Sequence, residues 1–91
     1  MSKWSLDFTP EAKDDLERLD KNLQKRISEK LEWLQGNFDK IIPSALGSEW
    51  RGFFKLRVGD RRVIYKVKWD KNHIIIFVID RRDKIYKRRK F

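Results

Sequence analysis

The stretch "KLRVGDRRVIYKV", residues 55–67, decides the fold. Apolar and polar residues alternate on both sides of Gly59-Asp60, which is the pattern of two half-buried strands joined by a two-residue turn. That turn sets Val58 opposite Arg61, Arg57 opposite Arg62, Leu56 opposite Val63 and Lys55 opposite Ile64. Leu56 and Val63 then share one face with Phe54, Tyr65 and Val67, while Lys55, Arg57, Arg62, Ile64, Lys66 and Lys68 share the other. Placing Arg57 across from Arg62 costs a sheet some tenths of a kcal/mol up to about 1 kcal/mol. The pair either splays into water or serves an anion such as phosphate, which guanidinium groups grip through bidentate hydrogen bonds.

Outward from the hairpin, apolar β-branched runs at 51–58, 61–69 and 73–80, with a second turn at 70–72, read as an antiparallel meander. "KWSLDF" (3–8) alternates Trp4, Leu6 and Phe8 with polar residues and reads as an N-terminal strand. Thr9 and Pro10 begin a helix that buries Ala12, Leu16 and Leu19. Asp20 begins another, with Leu23, Ile27, Leu31 and Leu34 at helical spacing and Gly36 as its expected stop. The helical hairpin is expected to cover the Leu56/Val63 face and to leave the basic face open. Residues 37–49 read as a loop pinned by Ile41, Ile42 and Leu46. The last residues, "DKIYKRRKF", are compatible with a strand, a turn of helix or a frayed end.

With 91 residues and 40% hydrophobic content the chain supports a single domain, 1–91, with one modest core. Lacking cysteine, it can form neither disulfide nor thiolate metal site. No segment approaches the ~18 apolar residues of a membrane helix and no leader pattern opens the chain, so a cytoplasmic protein is expected. Residues 51–91 hold 15 Lys/Arg against 4 Asp, net +11, whereas residues 1–50 are net −2 with 8 Lys/Arg and 10 Asp/Glu. Such asymmetry points to a polyanionic partner. Near the end Arg81, Arg82, Lys84, Lys87, Arg88, Arg89 and Lys90 surround Tyr86, a ring that can stack on a base while the cations hold the backbone. The acidic residues of this half are scattered among cations, which argues against a metal centre.

"LRVGDRRVIYKV" followed by "VIDRRDKIYKR", after a strand and a helical hairpin, resembles the RelE/ParE superfamily of toxins from type II toxin-antitoxin systems. The resemblance runs from "WSLDFTPEAKDDLERLD" to Tyr86. It implies an α+β fold, with an N-terminal strand and a helical hairpin packed on one face of a curved antiparallel sheet. It also implies a ribosome-dependent endoribonuclease that cleaves mRNA in the ribosomal A site without metal or other cofactor. Carried over by position, Lys55 is the general base, Arg62 contacts the scissile phosphate, Arg82 stabilises or protonates there, and Tyr86 stacks on a base and orients the 2'-hydroxyl. Arg57, Lys66, Lys68, Arg81, Lys84, Lys87, Arg88 and Arg89 would bind the RNA around them.

Attack by a 2'-hydroxyl needs a base, positive charge on the pentacoordinate phosphate, and an acid for the leaving oxygen. A lysine serves as that base only where neighbouring cations or burial disfavour its own charge. Two positions depart from the pattern. Phe53 stands where some cleaving members carry a second cation, and Arg81 where many carry histidine. The only histidine, His73, lies beside the second turn and is expected to be structural or exposed.

A RelB-like acidic antitoxin in a heterotetramer or larger assembly, the ribosome and mRNA are the partners the resemblance implies. A ParE-like toxin acting on DNA gyrase and a non-enzymatic basic module that only binds nucleic acid are the competing readings.

Overall fold

A computed structural model describes residues 3–46, 50–85 and 87. Five strands form one sheet in the order β1-β5-β4-β3-β2. They are β1 (Ser5–Phe8), β2 (Ser44–Ala45), β3 (Phe54–Val58), β4 (Arg61–Lys68) and β5 (His73–Arg81). The helices α1 (Pro10–Glu17) and α2 (Lys21–Asn37) lie across one face. A four-residue helix α3 (Arg82–Ile85) follows β5 directly. The β2-β3-β4-β5 part is antiparallel, while β1 joins β5 in parallel with Ser5 beside His73 and Phe8 beside Ile76. A parallel edge strand needs a long crossover, and the helical hairpin together with β2–β4 supplies it.

The helix starts follow from local chemistry. Thr9 Oγ1 accepts from the Ala12 amide at 3.1 Å, and Asp20 Oδ1 accepts from the Leu23 amide at 2.9 Å. Each cap satisfies a backbone donor that has no partner inside its helix. The expected stop at Gly36 does not hold. α2 continues through it to Asn37 and runs into a 3-10 turn, Phe38–Lys40. Nothing there requires the left-handed backbone that makes glycine a terminator. Instead Phe38, buried to 3% exposure, pulls the chain inward and ends the helix by packing.

The hairpin register is the one read from the turn: Val58 pairs with Arg61, Arg57 with Arg62, Leu56 with Val63 and Lys55 with Ile64. Gly59 has φ +61°, the left-handed backbone that a two-residue turn demands. Val63, Tyr65, Ile74, Ile76 and Ile79 pack with Ile27, Leu31 and Leu34 of α2 in the main core. At one end of that core Trp4 meets Phe38 edge-on at 4.7 Å between ring centres. Its indole N–H donates to Asp39 Oδ1 at 2.9 Å, which lets a buried Trp keep its hydrogen bond.

Two expectations about the loop need correction. Residues 37–49 include a short strand, β2, whose Ser44 lies beside Lys55. Ile42 does not pin the segment, for it is 95% exposed, whereas Leu46 is buried. The opposite face of the sheet is also not left open. Ile64 and Val78, both at 0% exposure, are covered there by Leu46, Trp50, Phe53 and Ile85 in a second, smaller core. Trp50 and Phe53 reach it because the segment before β3 folds back, with the Leu46 amide donating to the Phe53 carbonyl at 3.0 Å.

β5 carries one irregularity. The register shifts between Ile64 and Tyr65, so that Ile64 faces Val78 while Tyr65 faces Ile76 and Phe77 is the extra residue. Beyond this bulge the Ile79 amide donates to Asp15 Oδ2 of α1 at 3.0 Å, tying helix to strand.

Candidate anion-binding cleft

The second core splits the basic face. On the side of the hairpin tip Arg57, Arg62, Arg81 and Arg82 converge on a cleft of about 510 Å³, with Gly59, Asp60 and Asp83 at its margin. Lys66 and Lys68 lie toward the other end of β4, in a separate depression of about 610 Å³. There the Lys66 ammonium sits 4.8 Å from the centre of the Phe53 ring. Lys55, half-buried, stands across from Ile64 between the two ends. It follows two residues behind Arg57 on the same side of β3, about 7 Å away along the strand. Lys84 and Lys87 are exposed. Tyr86, Arg88, Arg89 and Lys90 lie outside the described residues.

Each cleft residue is placed by a neighbour that packs. Arg57, Arg62 and Asp80 lie in one row across β3, β4 and β5, set by the pairings Arg57–Arg62 and Arg62–Asp80. Arg82 opens α3, and α3 is held down by Ile85, which is fully buried against Ile64 and Val78. Asp80 Oδ1 accepts from the Arg81 amide at 2.8 Å and turns the chain as strand becomes helix.

The two adjacent arginines divide their work. Arg61 points to the helix side and takes Asp60 in an ion pair at 3.0 Å. Among the described residues Arg57, Arg62 and Arg82 have no carboxylate within ion-pair distance. Arg57 Nε makes only a long bond, 3.5 Å, to the Gly59 carbonyl. A concave patch with several guanidinium groups and few compensating carboxylates is suited to binding phosphate.

Sequence reasoning missed one cation at this end. Arg26, from the acidic half of the chain, reaches the hairpin tip from α2. A side chain placed on Gly59 would lie 3.1 Å from its guanidinium nitrogen. Its position i+6 from the Asp20 cap and the lack of an apolar partner are visible in the sequence, but its proximity to the tip is set by how α2 crosses the sheet.

His73 and Tyr65 stand apart from this chemistry. His73 Nε2 lies 2.6 Å from Asp7 Oδ2 and links β5 to β1, as a structural histidine would. Tyr65 faces the helices, and burial pushes its phenol up from 10.0 to about 12. Among the described residues no group of three or more His, Cys, Asp or Glu side chains could hold a metal ion, and no helix is long and apolar enough to cross a membrane.

Taken together, the structure is an open α+β sheet with helices on one side and an arginine-lined cleft at one hairpin of a small basic protein. Residues 6–86 match the model of the ParE toxin of the type II toxin-antitoxin system parDE, and the chain belongs to this family within the RelE/ParE toxin superfamily. It is therefore a toxin of a type II toxin-antitoxin system. No curated protein matches the chain.

Among solved structures it is similar to the RelBE2 toxin-antitoxin complex of Mycobacterium tuberculosis. The TM-score is 0.77 and the identity 24%, over 90% of this chain and 94% of that one. The archaeal RelE-RelB complex of Pyrococcus horikoshii gives a TM-score of 0.70 and 24% identity, over 88% and 96% of the two chains. The chromosomal ParDE system of P. aeruginosa gives 0.67 and 22%, over 87% and 96%. At these identities the likeness is one of fold, and RelE and ParE toxins share it.

Proposed function

We propose that this toxin is a metal-independent endoribonuclease that cleaves mRNA on the ribosome by attack of a 2'-hydroxyl on the adjacent phosphate. The observation that carries this reading is the convergence of Arg57, Arg62 and Arg82, without carboxylate partners among the described residues, in one cleft, with Lys55 outside its lining but two residues before Arg57 on β3. Arg62 and Arg82 hold the scissile phosphate and stabilise the charge that develops on its oxygens. Lys55 takes the proton of the attacking hydroxyl, and the bond from phosphorus to the 5'-oxygen breaks as a 2',3'-cyclic phosphate forms. The departing oxygen takes a proton from Arg82 or from solvent, and Arg57 steers the strand. Tyr86 stacks on the base beside the scissile bond, with Arg81, Lys84, Lys87, Arg88 and Arg89 along the flanking backbone. Positioning the hydroxyl in line with the leaving oxygen contributes as much as the charges do.

Lys66 and Lys68 enter this reading differently from the cleft residues. Separated from the arginines by the apolar second core, they contact flanking RNA or the ribosome rather than the reacting phosphate. A RelB-like acidic antitoxin that covers the cleft would silence the toxin by charge neutralisation, in a heterotetrameric or larger complex.

Primer extension on translated mRNA after induction tests the reading. Wild type is expected to give discrete cleavage within codons and Arg62→Ala none. Absence of cleavage by wild type overturns it. The family model's description as a ParE toxin favours one other reading, inhibition of DNA gyrase by protein contact. In a supercoiling assay that activity would trap cleaved DNA, whereas a ribonuclease leaves gyrase untouched.

A further inference from the structure

The arginine cleft does not end at the hairpin tip. A more open groove of about 470 Å³ continues from it onto α2, lined by Arg26, Glu29, Lys30 and Trp33 and by Arg57 and Gly59 of the hairpin. Arg57 and Gly59 line both depressions, so the two are contiguous. Arg26, Lys30 and Trp33, spaced by four and three residues, make one stripe along the outside of α2.

Trp33 is 44% exposed, unusual for so large an apolar ring, and the Lys30 ammonium stands 4.1 Å from its ring centre. At Gly59 two arginines reach the hairpin tip: Arg57 Nε makes a long bond to the glycine carbonyl at 3.5 Å, and a side chain placed on Gly59 would lie 3.1 Å from an Arg26 guanidinium nitrogen. Two cations lining one groove favour an anion bound there.

We propose that this groove is a second subsite for single-stranded RNA, in which Trp33 stacks on a base and Arg26 and Arg57 share the phosphate next to it. The strand would thus bend around the hairpin tip, from the arginine cleft on one side of the sheet to α2 on the other. This inference rests on the RNA-cleaving reading and extends it. An exposed aromatic ring beside cations that track a backbone is the usual composition of a sequence-tolerant base platform. A protein helix is a poorer occupant. Its apolar stripe needs a matching apolar groove, and only Trp33 and Val58 provide one here, with Glu29 set against an acidic partner.

The test is fluorescence anisotropy of the purified toxin with a labelled RNA octamer methylated at every 2'-oxygen, which binds but cannot be cut. Trp33→Ala is expected to weaken binding at least fivefold and Trp33→Phe to retain most of the affinity. Arg26→Ala is expected to lower the slope of log affinity against log salt by about 0.7. A 2-aminopurine base in the octamer should be quenched by wild type and released from quenching by Trp33→Ala. Melting curves monitored by circular dichroism confirm that each variant is folded, and Arg26→Ala carries the test if Trp33→Ala is not. If Arg62→Ala weakens binding while Trp33→Ala and Arg26→Ala do not, the second subsite is wrong and the cleft reading stands. If Arg62→Ala has no effect either, or wild type does not bind, the second subsite falls too, and primer extension on translated mRNA decides the ribonuclease reading separately. Unchanged RNA affinity together with lost binding of an acidic protein partner would assign the groove to that partner instead.

Discussion

Arg57 and Arg62 face each other on one rung of the β3–β4 hairpin, on the side of the sheet away from the main helices, and neither has a carboxylate partner among the described residues. Two guanidinium groups in that relation lower the stability of the hairpin. Arg57→Ala and Arg62→Ala should therefore leave the protein as stable as wild type or more so, by up to about 1 kcal/mol. In the same variants Arg62→Ala should lower mRNA cleavage by a factor on the order of 10²–10³, the usual cost of removing one preorganised donor. Urea unfolding and primer extension measure the two effects. A destabilised Arg62→Ala would mean that the arginine is structural.

Gly59 answers to two constraints at once, φ +61° and an Arg26 guanidinium 3.1 Å from where a side chain would begin. Gly59→Ala should cost about 1–2 kcal/mol from the backbone conformation, and the methyl should also push Arg26 away from the tip. The expected readout is a lower urea midpoint with an unchanged m-value. Gly59→Asn, which tolerates the left-handed region better, should lose less.

Ile85 is the anchor of α3. Ile85→Ala should destabilise the protein by about 2–4 kcal/mol, through lost burial and the cavity left beside Ile64 and Val78. Since α3 begins at Arg82, cleavage should fall further than the fraction unfolded accounts for. Activity measured well below the melting temperature separates the two effects, and Ile85→Val should restore most of both.

Asp15 supports the bulged segment of β5 through the Ile79 amide. Asp15→Ala leaves that donor without its carboxylate and should cost about 1–3 kcal/mol. Hydrogen exchange at the Ile79 amide, expected to quicken well beyond that of Ile74, reports the loss at the bond itself.

Tyr65 makes stability depend on pH at the alkaline end. Its phenol ionises near 12 in the folded protein and near 10.0 in the unfolded chain. A raised folded value means that its contribution is fully present below pH 10 and is lost as pH rises toward 12. The loss amounts to roughly 2–3 kcal/mol at 1.36 kcal/mol per unit. In a titration followed at 295 nm, one of the two tyrosines should ionise well above 10, close to 12. Tyr65→Phe should remove this alkaline step.

The legible part of the fold was the part written in adjacent residues. Alternation around Gly59-Asp60 specified the hairpin register to the residue, since a one-residue slip would move Leu56, Val63 and Tyr65 into water. Thr9 and Asp20 marked the helix starts, because a cap is a bond between residues three apart. The same logic, with the family resemblance, singled out Lys55, Arg57, Arg62 and Arg82, of which the arginines do meet in one cleft. Gly36 misled, because a glycine ends a helix only where the backbone turns left-handed, and here Phe38 ended it by burial.

What the sequence by itself determined, then, is the four longer strands, their two faces and the concentration of positive charge in the second half. Those depend on spacing along the chain, which is present in the unfolded polypeptide. Tertiary structure decided which cations act together. Ile64 looks like one apolar residue on a basic face until Trp50, Phe53 and Ile85 arrive from distant positions to cover it. That second core separates Lys66 and Lys68 from the arginines. Arg26 likewise belongs to an acidic half until α2 crosses the sheet and brings it to Gly59. Charges interact through space, across roughly a Debye length of 8–10 Å, and no periodicity along the chain records which distant side chains will fall within it.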